Sequence, residues 1–419
     1  LVSRDSFFRF RFAGLAPVLA GILLAGAMPA AAARAQDTGL AAEQTAIEAG
    51  DDLTARGKKT LLRARNRQDA GDNAGAVELM TEWLNSDPAR DHHLLRFNLA
   101  LSHLALEQTG PAYENLERAV ELQPRFGRAW LRLGEAAYEL DRFAAAGRAF
   151  LAAYDLTPAP TPEILYYAGV TLLMGDESAA ALPPLEKLLT DYRDRAELDW
   201  YQALIAAATG ADRPARARPF LDRLLEDNPA EPRAWDLAYQ FAAGQEDYRS
   251  AAVFLTIAGY LRPLSRAETF QLGDLYAVID VPVKAARYYE QAMAQPAGQA
   301  SVESGRAGEY LRLATAWMSA HRHENARATL KQALGEKETR RLWALLGDLE
   351  YLDEDYAAAL EAFTRAGNID PAFGRGWLMM GYCAIELGND AAAREHLTRA
   401  TDFSDQAAAA RSLLERLDR

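Results

Sequence analysis

The side chains able to do chemistry in this 419-residue chain are six histidines, one cysteine and several short carboxylate runs. The histidines are His92, His93, His103, His321, His323 and His396; none forms H-E-x-x-H or has a cysteine partner at zinc-ligand spacing, so they read as solvent-exposed. Cys383, in "MMGYCAIEL", lacks the histidine partner and electropositive setting that would activate a thiol, and reads as a small packing residue. "ARGKKT" at 55–60 carries the lysines of a phosphate-binding loop, but Asp52 stands where the loop needs glycine. Asp353-Glu354-Asp355 falls in an expected turn, where solvated charge is ordinary, and nothing pairs it into an acid–base constellation. The expectation is no catalytic residue, no metal and no cofactor.

Half the chain is apolar and a quarter is charged, which describes a globular protein rather than a disordered one. Residues 1–35 stand apart. Arg4, Arg9 and Arg11 precede the apolar run "FAGLAPVLAGILLAGAM", which ends in "PAAAARAQ", the three-part layout of a secretory signal. Ala33-Arg34-Ala35 places cleavage before Gln36, with an uncleaved membrane anchor as the alternative. Cleavage removes four arginines and one aspartate, taking the net charge from −13 to −16. Such a chain repels phosphate backbones, so nucleic acid is not an expected partner. No other apolar run approaches spanning length, so no membrane span remains after cleavage and the periplasm is the expected location.

The remaining chain is periodic. From Gly273 the sequence reads alanine at twelve residues (Ala285), an aromatic at sixteen (Tyr289) and alanine at nineteen (Ala292). The same offsets connect Gly134 to Ala146, Phe150 and Ala153, Gly347 to Ala359, Phe363 and Ala366, and Gly381 to Ala393, Leu397 and Ala400. Tryptophan stands four residues before the glycine at Trp130, Trp343 and Trp377, and prolines close units at Pro88, Pro124, Pro158, Pro229 and Pro371. Trp343 to Trp377 measures 34 residues.

This pattern resembles the tetratricopeptide repeat, whose period is 34 residues. The resemblance implies an all-α superhelix, an α-solenoid of about ten helix pairs, over nearly the whole mature chain. The glycine of each first helix then lets the second approach closely, and Pro282 opens a second helix, where its missing N–H does no harm. The expected organisation is a signal at 1–35, an N-terminal helical segment at 36–56, seven units over 57–294, an insertion at 295–306, three units over 307–407 and a capping helix at 408–419. The unit at 198–231 lacks its glycine and is expected to be irregular.

In such arrays the first helices line the inner face. The repeat register projects Leu131, Glu135, Tyr138, Tyr166, Asp236, Gln240, Phe270, Asp274, Asp348, Tyr351 and Tyr382 onto it or near it. Aromatic rings among carboxylates and amides suit a protein or peptide partner. The lysine and asparagine clamp by which some family members hold a terminal carboxylate is absent; Leu131, Tyr166 and Phe270 occupy those positions, and a basic or amphipathic segment is the expected ligand of an acidic groove.

A narrower resemblance lies within Trp235 to Met293. "LYAVIDVPVKAARYYE" and the later "LATAWMSAHRHENARATLKQAL" are similar to tetratricopeptide proteins associated with TonB-dependent transport. What that implies is a non-enzymatic periplasmic scaffold accessory to a TonB-type energising complex, with 232–339 as the main partner surface. A scaffold for envelope assembly or polysaccharide export is the other reading.

Overall fold

Glycine, alanine and aromatic residues at those fixed offsets bring two short helices together, and the pairing repeats along the chain. The computed structural model describes residues 53–157, 160–296 and 306–418. The expected signal, most of 36–56, Pro158 and most of the 295–306 insertion lie outside them. Among the described residues there are twenty-one α-helices, three short 3₁₀ turns and no strand.

Two compact units divide between Pro229 and Ala230. The first holds five pairs: Ala55–Asp69 with Asn73–Asn85, His93–Ala105 with Thr109–Leu122, Gly127–Glu139 with Phe143–Leu156, Pro162–Met174 with Ser178–Asp191, and Leu198–Gly210 with Arg218–Asp227. The second holds Pro232–Gly244 with Tyr248–Leu261, Arg266–Val278 with Pro282–Ala294, Ala307–Ser319 with His323–Glu336, Arg340–Leu352 with Tyr356–Ile369, and Gly374–Glu386 with Asp390–Ala400. A terminal helix, Ser404–Leu417, buries Ala407, Ala410 and Leu413 and leaves its charges outside, as a cap must.

The seam inside each pair is the one the offsets require. A Cβ on Gly273 would stand 2.5 Å from the Tyr289 ring, and one on Gly347 would stand 2.8 Å from Phe363. Only a residue without a side chain lets those rings lie flat against the first helix. Phe150 and Phe363 are among the largest fully buried side chains, and truncating such a ring costs about 3–5 kcal/mol. Trp130 and Trp377 are tied down as well as packed, since each indole N–H donates to the carbonyl of the proline six residues earlier, Pro124 and Pro371, at 2.8 and 3.2 Å.

The turn inside each pair is tight. Each of the ten contains one residue with positive φ: Gly71, Glu107, Asp141, Asp176, Asp212, Glu246, Asp280, His321, Glu354 and Gly388. The second helix then starts at once, with Pro282 at its first position in the seventh pair and with Asp72, Asp247, Asp355 and Asn389 capping other starts through their side chains.

The fifth pair departs from this regularity. A 3₁₀ turn at Pro214–Arg216 precedes a second helix of only ten residues, whose buried side chains are Leu221 and Leu224. Proline inside the "TGADRPAR" segment and the missing seam glycine shorten the helix here, and the first compact unit ends directly after it.

Candidate partner-binding face

Each first helix buries two stripes against its partner and its neighbours, and a third stripe remains outside the pair. In the second unit that stripe carries Asp236 and Gln240, then Gln271 and Asp274, then Arg312 and Ser319, then Asp348 and Tyr351, then Tyr382.

The aspartates on it are not free charges. Arg262 forks onto Asp236 at 2.6 and 3.1 Å and also binds Glu268. Burial pushes the Glu268 carboxyl up, but hydrogen bonds from Arg262 and from the Ser265 hydroxyl and N–H outweigh it and bring the pKa to about 2. Asp274 accepts a hydrogen bond from the Tyr289 hydroxyl at 2.7 Å and faces Arg312 at 3.3 Å. Burial is the largest influence on that carboxyl and holds its pKa above the ordinary value, against both partners. Arg375 forks onto Asp348 at 2.7 and 3.0 Å, and Arg266 onto Glu309 at 2.7 Å to each oxygen. Between these pairs lie uncharged groups: Gln240 is exposed, and Gln271 accepts from the Tyr239 hydroxyl at 3.2 Å.

Two sequence expectations change. Phe270 is 7% exposed. Its ring lies 6.0 Å from Tyr289, beneath the guanidiniums of Arg266 and Arg312 at 4.9 and 5.8 Å, so it is a packing residue, and Leu131 is buried to the same extent. The Arg312 guanidinium, reaching from the next first helix, lies over the Phe270 ring, which a projection of one helix at a time places on the open face. The acidic groove changes too, because the projection counted aspartates on the first helices and missed the arginines that reach them from 26, 27 and 38 residues onward. The signal was present in the sequence as Arg262, Arg375 and Arg312, but only the folded pair brings Arg262 to Asp236, and only the stacking of successive pairs brings Arg375 and Arg312 into register.

In the first unit, Tyr138 is half-buried with its ring edge-on to Phe143 at 5.8 Å. Tyr166 lies between Tyr167 and Trp200 at 6.2 and 6.5 Å. Burial, then the charges of Asp199 and Glu197, raise its hydroxyl pKa to about 12. In the second unit Tyr351 packs edge-on against Tyr356 at 5.5 Å, and Tyr382 is half-buried.

The groups considered first for chemistry are structural. Cys383 is fully buried, and burial pushes its thiol up to about 12, the opposite of an activated nucleophile. "ARGKKT" forms the opening turns of the first helix, with the Thr60 hydroxyl bonded to the Arg56 carbonyl. Of the six histidines only His321 is solvent-exposed as expected: His93 is buried, stacked on His92 at 4.3 Å and edge-on to Phe126 at 5.6 Å, while His92, His103, His323 and His396 are half-buried and His323 binds Asp353. Among the described residues no cluster of metal-ligating side chains forms, and no helix is long and apolar enough to cross a membrane.

Fold and seam define an all-α protein of tetratricopeptide-type helix pairs. The family model of the tetratricopeptide repeat matches residues 351–417. Similar solved structures include the APC/C hetero-tetramer Cut9–Hcn1, 13% identical over 85% of this chain and 82% of that one, with a TM-score of 0.32. YrrB, a TPR protein with an unusual peptide-binding site, is 17% identical over 46% and 97%, with a TM-score of 0.36. Yeast Tom70 is 12% identical over 86% and 95%, with a TM-score of 0.33. No curated protein matches the chain.

Proposed function

We propose that this protein is a non-enzymatic protein-interaction scaffold of the periplasm, accessory to a TonB-type energising complex, and that it holds its partner on the first-helix face of 232–339. The observation that carries the scaffold reading is the stripe itself: the amides of Gln240 and Gln271 and the Tyr239 hydroxyl set in register by the repeated seam, a surface suited to an extended segment of another chain. The periplasmic location is supported by the signal-like layout of residues 1–35, and the TonB link by the resemblance of 235–293.

One experiment tests both parts. Periplasmic extract should yield a chain beginning at Gln36, and this chain should capture TonB-type energising proteins from solubilised envelope. Gln240→Ala with Gln271→Ala should abolish capture while helical content stays unchanged. A chain retained in the membrane fraction with residues 1–35 intact would overturn the location. Capture of export or assembly proteins in place of the energising complex would overturn the TonB link and favour the envelope-assembly reading.

A further inference from the structure

The carboxylates on the face of 232–339 are taken up by arginines of the same face. Asp236, Glu268, Asp274 and Glu309 supply four carboxylates, and Arg262, Arg266, Arg306 and Arg312 supply four guanidiniums, each joined to a carboxylate of the same set. Members of the ladder are at most 34% exposed, with Arg266 and Glu309 at 15% and 17%. A lysine brought to Asp274 would have to displace Arg312, exchanging one ion pair for another. A glutamate brought to Arg312 meets the same obstacle from the other side. Neither exchange adds an ion pair, so neither offsets the cost of desolvating the incoming charge. Arg233, exposed at the start of the sixth pair, is the one cation on these three first helices, among the described residues, that has no ion pair.

Resting on the reading of this face as the partner surface, we propose that it selects an uncharged polypeptide segment, recognised by the amides of Gln240 and Gln271 and by neighbouring hydroxyls, and that the arginine–carboxylate ladder excludes charged segments. Arg312 is the positioning residue in this device. It touches Asp274 and acts on the ligand by keeping that carboxylate occupied. Selectivity then comes from rejection as much as from attraction. Because no new ion pair forms, binding responds weakly to salt.

The test is selection of a random-peptide phage library on the full-length chain, followed by affinity measurement at about 50 and about 500 mM salt. Enriched peptides should be near neutral, change affinity less than about threefold between the two salts, and lose about tenfold or more on the Gln240→Ala, Gln271→Ala variant. Arg312→Gln alone, which uncovers Asp274, should newly admit lysine-bearing peptides, whereas Arg312→Gln with Asp274→Asn should not. Enrichment of lysine-rich or glutamate-rich peptides on the wild-type chain, with steep salt dependence, would overturn the selectivity while leaving the surface in place. Enriched peptides indifferent to the glutamine variant would overturn the surface, and with it the function proposed above.

Discussion

The half-buried carboxylate of Asp274 and the arginine-bound one of Glu268 belong to the same helix and titrate in opposite senses. Glu268 has its folded pKa depressed from 4.5 to about 2, so its contribution to stability is present above the unfolded value and is lost as pH falls from about 4.5 toward about 2. Asp274 has its folded pKa raised from 3.8, so the stability it contributes is present below that value and is lost as pH rises through the folded pKa. Thermal melts of two isosteric variants check both signs. Asp274→Asn, which still offers Tyr289 an acceptor, should melt higher than wild type at neutral pH and converge with it in acid. Glu268→Gln should melt lower at neutral pH and converge in acid. A second comparison reads the seam against the turn. Gly347→Leu forces a side chain into the Phe363 ring and should cost about 3 kcal/mol. Asp353 reads from sequence as a solvated turn residue, yet it binds both His323 and Arg327. Asp353→Ala should therefore lower stability measurably, by less than about 1 kcal/mol. Equal melting temperatures for the two variants would contradict the register of the seam.

At the scale of elements, what was legible in the sequence was whatever depends on a single pair. The offsets from Gly273 to Ala285, Tyr289 and Ala292 describe contacts between adjacent helices, and the structure places those residues at that seam. The start at Pro282 needed only local backbone chemistry. What was not legible is what depends on two pairs at once: the Arg312 guanidinium over Phe270, the arginines opposite Asp274 and Asp348, and the burial of His93 against Phe126. One helix also breaks a local rule. Ser178–Asp191 carries Pro183 and Pro184 in its interior, so the carbonyls of Ala179 and Ala180 lose the donors that would bond them there. Pro184 is buried and Pro183 is exposed, so Pro183→Ala should restore one bond without opening a cavity. It should raise the melting temperature of the chain, by about 1 kcal/mol or more in stability. A lower melting temperature would show that Pro183 acts mainly by restricting the unfolded chain.

At the scale of the whole molecule, an array of stacked pairs draws its stability from each pair and its immediate neighbours, so it can be cut wherever neighbour packing is thin. The fifth pair, the last of the first unit, is the least regular. Its second helix is the shortest α-helix among those described and buries Leu221 and Leu224, where the seventh pair's second helix buries Ala285, Ala286, Tyr289 and Ala292. The first compact unit closes at Pro229, and the second has a core of its own that runs without interruption from Ala242 to Ala362. Residues 53–229 and 230–419, expressed separately, should each give a helical circular dichroism spectrum and a cooperative thermal transition. In the intact chain, Gly134→Leu should lower the stability of the first unit and Gly347→Leu that of the second, each read by hydrogen exchange at amides of its own unit. The outcome that sinks the division is loss of helicity in either fragment, or loss of exchange protection spread evenly through both units from a single glycine replacement. Protection lost only within the unit that carries the replacement is the expected result, because a seam broken at one pair removes packing from its neighbours in that unit's own core.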